Sequence, residues 1–97
     1  MGSFILTQKA RSDMRLIGRY ICKEFGKVQQ RNYLRQLDLA FYDLADEPEL
    51  GHLCDDISNG YHKYGVGKHL IFYHYKEKDQ IEIVRILHGR IDIEQHL

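Results

Sequence analysis

The sequence predicts an α+β domain in which an antiparallel helical hairpin lies on one face of an antiparallel β-meander, with an N-terminal strand added to the sheet. Three observations carry this expectation. Between Gln8 and Ala45, apolar residues recur at spacings of three and four, broken once at Gly26, as two amphipathic helices require. Between Gly60 and Gly89 the rhythm changes to short runs rich in β-branched and aromatic residues, separated by turn residues. Ahead of the first helix, the segment FILT reads as one more strand. Helices followed by a run of strands indicate helices segregated to one sheet face.

The elements follow in order. FILT spans Phe4 to Thr7, and Thr7 is placed to cap a helix that begins at Gln8 and ends at Gly26. Along that helix Ala10, Met14, Ile17, Ile21 and Phe25 form an apolar stripe, while Lys9, Arg11, Arg15, Arg19 and Lys23 make the other faces basic. A second helix starts near Lys27 and runs through Tyr33, Leu34, Leu37, Ala40, Phe41, Leu44 and Ala45 until Pro48 ends it. Gly26 alone separates the two, so they should fold back as a hairpin. The stretch ELGHLCDDISNG is rich in turn formers and reads as a connecting loop. GYHKYGV, KHLIFYHYK and QIEIVRILHG read as three strands, with turns at Gly65 to Gly67 and at Lys76 to Asp79. The tail IDIEQHL is expected to form one or two helical turns.

Ninety-seven residues suit one domain spanning 1–97, with a moderate core. A hydrophobic fraction of 43%, seven tyrosines and a single proline argue for a folded chain rather than a disordered one. Fourteen basic residues balance fourteen acidic ones, so no overall positive field attracts a nucleic acid, and sequence-specific nucleic-acid binding by the chain alone is not expected. No apolar run reaches bilayer length and MGSFILTQKA has no signal-peptide core, which points to the cytoplasm. Met1, Gly2 and Ser3 carry no functional weight. Cys22 and Cys54 lack any C-x-x-C spacing and are expected as reduced thiols.

One feature stands out against the pattern. In IVRILHGR, residues 83–90, Arg85 interrupts an apolar strand, where a charge costs several kcal/mol, roughly, unless paired. Read as a regular strand, Arg85 shares a face with Ile83 and Leu87. It either braces the core margin against an acid such as Asp55, Asp56 or Asp92, or it works in a contact with a target. Six histidines invite a metal reading, but His69 and His74 fall on opposite faces of one strand, and His62, His69, His74 and Cys54 match no zinc spacing. No metal and no cofactor is therefore expected. Gly60, Gly65 and Gly67 lead into no helix and are explained by turns rather than by phosphate binding.

Several stretches, LTQKARSDM, YLRQLDLAFYDLADEPELG, DDISNGYHKYGVGKHLIFYHY and IEIVRILHGRIDIEQHL, together resemble the ParE branch of the RelE/ParE toxins of bacterial type II toxin–antitoxin modules. The Pro-x-x-Gly turn, the G-x-H-L-I-F-Y strand and the R-I-L-H-x-R-x-D ending carry the resemblance in this order and spacing. It implies a compact toxin domain in a hetero-oligomer with a ParD-like antitoxin, and a non-catalytic inhibitor of DNA gyrase. The superfamily also contains RelE-like ribosome-dependent mRNA endonucleases, which is the alternative reading. Those enzymes need acid–base groups on the last strand and the chain end beyond it. Here the aliphatic Ile86 and Leu87 follow Arg85, so the resemblance favours the gyrase branch and implies no catalytic residue. Arg85, His88 and Arg90 are the candidates for target contact. Tyr61, Tyr64, Tyr73 and Tyr75, as aromatics on the sheet face away from the hairpin, and Arg11 and Arg15, on the first helix, are the candidates for antitoxin binding.

Overall fold

The structure, a computed structural model, describes residues 2–55 and 60–89. Strand β1 (Ser3–Leu6) leads into α1 (Gln8–Phe25) and α2 (Lys27–Asp46). A 3-10 turn (Pro48–Leu50) then precedes β2 (His52–Leu53), β3 (His62–Val66), β4 (His69–Glu77) and β5 (Gln80–His88). Among the described residues these strands form one sheet in the order β1-β5-β4-β3-β2. The predicted α+β class and the strand, hairpin, meander order are the architecture observed.

Thr7 joins helix to sheet. Its hydroxyl accepts a hydrogen bond from the Ala10 N–H at 3.0 Å, as an N-cap does. The same hydroxyl donates to the Val84 carbonyl at 2.7 Å, and the Thr7 N–H donates to Ile83 O at 3.0 Å. The cap residue therefore also prolongs the pairing of β1 with β5, which is parallel and runs from Ser3 opposite Gln80 to Leu6 opposite Ile83. At the far end of α1, Gly26 adopts φ 92° and ψ 173°, a conformation almost reserved for glycine, and its N–H closes on Cys22 O at 2.9 Å. One residue thus reverses the chain between the two helices.

The hairpin covers one sheet face. Ala10, Ile17, Leu37, Ala40, Phe41, Leu44 and Ala45 from the helices meet Ile71, Tyr73, Ile81, Ile83 and Ile86 from the sheet. On the other face Phe72 and Leu87 gather with Cys54, and Tyr61 and Leu70 pack against them. The predicted apolar stripe of α1 holds for Ala10, Met14, Ile17 and Ile21, whereas Phe25 is 62% exposed.

Three expectations are corrected. The stretch after Pro48 is not all loop: it holds the 3-10 turn and β2, whose two residues pair with His62 and Lys63. Gly65 lies inside β3, and the β3–β4 turn is Gly67 and Lys68. Most consequential, β5 is not regular. Phe72 lies opposite Arg85 while Tyr73 lies opposite Ile83, so Val84 is an extra residue on β5. This bulge shifts the alternation, sending Ile83 and Ile86 to the hairpin and Leu87 to the other face. Arg85 therefore does not share a face with both Ile83 and Leu87. The C-terminal segment expected to turn helical lies outside the described residues, as does Arg90.

Candidate interaction surface

Arg85 is paired with an acid on α1, Asp13. Its guanidinium grips Asp13 with two bonds, Nε to Oδ2 at 2.8 Å and Nη2 to Oδ1 at 2.9 Å. Asp13 Oδ2 also accepts the Ile86 N–H at 3.0 Å. The physical reason lies in the sheet edge. Strand β1 ends at Leu6, so past Ile83 the side of β5 away from β4 has no strand beside it. Thr7 and Asp13 fill that gap by taking a β5 carbonyl and a β5 N–H in turn. The Asp13 and Arg85 side chains are only 9% and 15% exposed. Hydrogen bonding to Asp13 raises the Arg85 pKa against the opposing effect of burial, fixing its charge. The expected acid partners were Asp55, Asp56 and Asp92. Asp13 was overlooked although it stands between Ala10 and Ile17 at helical spacing, within the apolar stripe.

A second polar group sits at the end of the sheet beside α2. The Tyr33 hydroxyl lies 2.6 Å from His69 Nδ1, donates toward Val66 O at 3.2 Å and accepts the Lys68 N–H at 3.2 Å. His69 faces His88 across the β4–β5 pair, their ring centres 5.6 Å apart. Burial, helped by the neighbouring His88, lowers the His69 pKa below its ordinary value, with Asp13 opposing the shift. Burial likewise raises that of Tyr33. These residues border a hollow of about 490 Å³, whose other wall is Tyr20, Ile21, Phe25 and Gln29 of the hairpin. Tyr20 and Phe25 are 60% and 62% exposed, so this wall is apolar and open. His88 is thus placed at the mouth of a groove, which no spacing in the sequence revealed.

The tyrosines expected to form one partner-binding face are divided among environments. Tyr73 is fully buried under the hairpin, where its hydroxyl donates to Pro48 O and accepts the Gly51 N–H, and burial pushes its pKa up to about 12. It cannot be a surface anchor. Tyr64 packs against the same helix-side core, and Tyr61 packs on the opposite face against the Cys54, Phe72 and Leu87 group. Tyr75 is 54% exposed. The parity of β3 and β4 explains the split, because Tyr64, Tyr73 and Tyr75 share the register of helix-facing residues. Arg11 and Arg15 are exposed on α1, as expected. Among the described residues no three His, Cys, Asp or Glu side chains converge, and no helix is long and apolar enough to cross a membrane.

A strand, a helical hairpin and an antiparallel meander, with the last strand placed between the first and the rest, define a RelE/ParE-type toxin domain. The likeness extends to a solved chain of a chromosomal ParDE toxin–antitoxin system from P. aeruginosa, with a TM-score of 0.76 and 17% identity over 91% of this chain and 95% of that one. The family model of the ParE toxin of the type II toxin–antitoxin system parDE matches residues 4–93, and the chain belongs to that family. It is 33% identical over 94 residues to Toxin ParE1 of Mycobacterium tuberculosis, covering 97% of this chain and 96% of the relative. To Toxin ParE1 of Caulobacter vibrioides it is 28% identical over 97 residues, covering 100% and 99%.

Proposed function

We propose that this ParE-family toxin acts in the cytoplasm as a non-catalytic inhibitor of DNA gyrase and is held inactive by a ParD-like antitoxin in a hetero-oligomeric complex. The family match over residues 4–93 carries the reading. The last strand supports the absence of catalysis. Ile86 and Leu87 are both buried, on opposite faces of the sheet, and Arg85 is committed to Asp13. A nuclease of the RelE type would need acid–base groups along that strand.

The hairpin supports the antitoxin. Leu16, Tyr20, Phe25, Val28, Leu39 and Tyr42 are each more than half exposed on α1 and α2. Apolar residues displayed in such number suit an amphipathic segment that folds on binding. Arg11 and Arg15 stand on the same helix as Leu16 and Tyr20 and favour an acidic partner.

The test is a reconstituted assay of the full chain with gyrase, with and without the antitoxin encoded beside it. Inhibition of supercoiling, or trapping of gyrase-cleaved DNA, relieved by the antitoxin, is the expected result. Codon-positioned cleavage of messenger RNA on ribosomes with gyrase untouched would replace this reading with the endonuclease one.

A further inference from the structure

We propose that a ladder of six cations along the helical hairpin binds the phosphate backbone of duplex DNA without reading its sequence. The balanced charge of the whole chain conceals a segregation. Residues 8–35 carry eight Lys and Arg against Asp13 and Glu24, a formal charge of +6, whereas residues 36–58 carry seven acids and no Lys or Arg. Asp13 is already committed to Arg85. On α1, Arg15, Arg19 and Lys23 recur every fourth residue, and on α2 Lys27, Arg31 and Arg35 do the same. All six are exposed, and none is in an ion pair among the described residues. Those of α1 stand about 120–160° around the helix from the buried Ile17, on its solvent side. Gly18 fixes how the two rows lie. A Cβ on it would come 3.2 Å from Leu34 Cδ1 and 3.4 Å from Gln30 Nε2, so Gly18 passes between the levels of residues 30 and 34. Because the two helices run antiparallel and rise equally, Arg19 comes level with Arg31, Lys23 with Lys27 and Arg15 with Arg35. Three rungs of like charge result, about 6 Å apart along the helices.

Such an arrangement destabilises the isolated chain, since like charges one helical turn apart repel. A polyanion removes the repulsion, and its own condensed counterions are released as it binds. Four of the six cations are arginines, whose planar fork takes two phosphate oxygens at once. An acidic peptide that folds on the toxin needs apolar anchors beside its charges. The exposed Tyr20 and Phe25 that could supply them border the groove beside Tyr33, which none of the six cations lines. A single-stranded nucleic acid needs aromatic rings on which its bases stack, and these too are turned to the groove. A duplex needs neither, and it presents one negative charge per about 1.7 Å of its axis. The DNA that gyrase handles is the duplex within the toxin's reach, a setting that rests on the gyrase reading, whereas the binding itself does not.

The experiment is fluorescence anisotropy of the full chain with two labelled DNA duplexes of unrelated sequence, between about 50 and 200 mM salt. Gyrase is absent, so a failure to bind DNA and a failure to inhibit gyrase are seen separately. Equal affinity for the two duplexes is expected, with a slope of log K against log salt of about −4 to −5, as about five phosphate contacts give. The double variant Arg19→Gln/Arg31→Gln, which leaves Arg11 and Arg15 in place, should bind at least tenfold more weakly and make the slope shallower by about 2. Its melting temperature should equal or exceed that of the wild type, because repulsion is relieved. Lys78→Gln, between β4 and β5, should match the wild type. Absence of saturable binding at about 50 mM salt, or wild-type affinity in the double variant, overturns the proposal. Tighter binding of single-stranded DNA or of RNA overturns it as well, and so does displacement of the duplex by polyglutamate at equal charge. Amide NMR of the wild type with the duplex needs no variant: the largest shifts should gather on residues 15–35, and largest shifts on the sheet overturn the assignment.

Discussion

Asp13 serves two partners at once, the Arg85 guanidinium and the Ile86 N–H, and both lose these bonds without it. Removing one member of a buried ion pair costs about 3–5 kcal/mol, because the remaining charge stays desolvated. Arg85→Ala is therefore expected to fall in that range, and Asp13→Ala to be the more damaging of the two. Denaturant unfolding of both variants checks the order, and equal losses would mean that the Ile86 bond contributes nothing. A second residue-scale prediction concerns Glu82. It accepts a hydrogen bond from His74 Nε2 at 2.8 Å, and this bond, followed more weakly by Lys76, lowers its pKa despite an opposing effect of burial. Its stabilisation is present above the ordinary value of 4.5 and is lost as the pH falls through the lowered value. Wild type should lose more stability than Glu82→Gln when acidified from neutral pH to below 4.5. That Arg85 needed a partner was legible in the sequence. Its identity was not, because a polar residue in a helical stripe looks like a solvated interruption until the sheet edge it completes is known.

At the scale of elements, the contrast between two turn glycines is informative. Gly26 has φ +92° with nothing within 4 Å of where a Cβ would lie, so Gly26→Ala pays only for backbone strain, about 1–3 kcal/mol. Gly67 has φ +56°, and a Cβ there would come within 2.7 Å of the Tyr33 ring. Gly67→Ala should therefore destabilise more than Gly26→Ala and should also push Tyr33 away from His69. Thermal melts of the two variants, with the assigned NMR ring signals of Tyr33 in each, distinguish strain from collision. Helix limits, the Thr7 cap and the existence of three meander strands could be read from periodicity and turn chemistry. The Val84 bulge could not, since an extra residue in a strand leaves the local apolar pattern intact while reversing every face beyond it. That reversal is why the assignment of Arg85 to one face with Ile83 and Leu87 failed. The helix-side register of Tyr64, Tyr73 and Tyr75 escaped notice for a related reason, as composition names residues fit for a sheet without saying which side the helices cover.

For the whole molecule, the exposed apolar wall of the hairpin separates folding from association. Tyr20 and Phe25 border the groove and contribute little to the core. Tyr20→Glu and Phe25→Glu should leave the unfolding midpoint nearly unchanged yet weaken capture of the antitoxin at least about tenfold, equivalent to about 1.4 kcal/mol. Calorimetry of the variants with the purified antitoxin measures this, and undiminished affinity would move the contact elsewhere on the toxin.

The parallel pairing of β1 with β5 has a consequence for the toxin as it is made. Ser3 pairs with Gln80, and Thr7 reaches across to Ile83 and Val84. Contacts of such separation form late, after the intervening chain has closed into a loop. On a ribosome, β1 has no neighbour in the sheet until β5 has been made. Before that point the N-terminal strand and its Thr7 cap lack the neighbour they join, so the register of β1 is among the last features of the fold to be fixed.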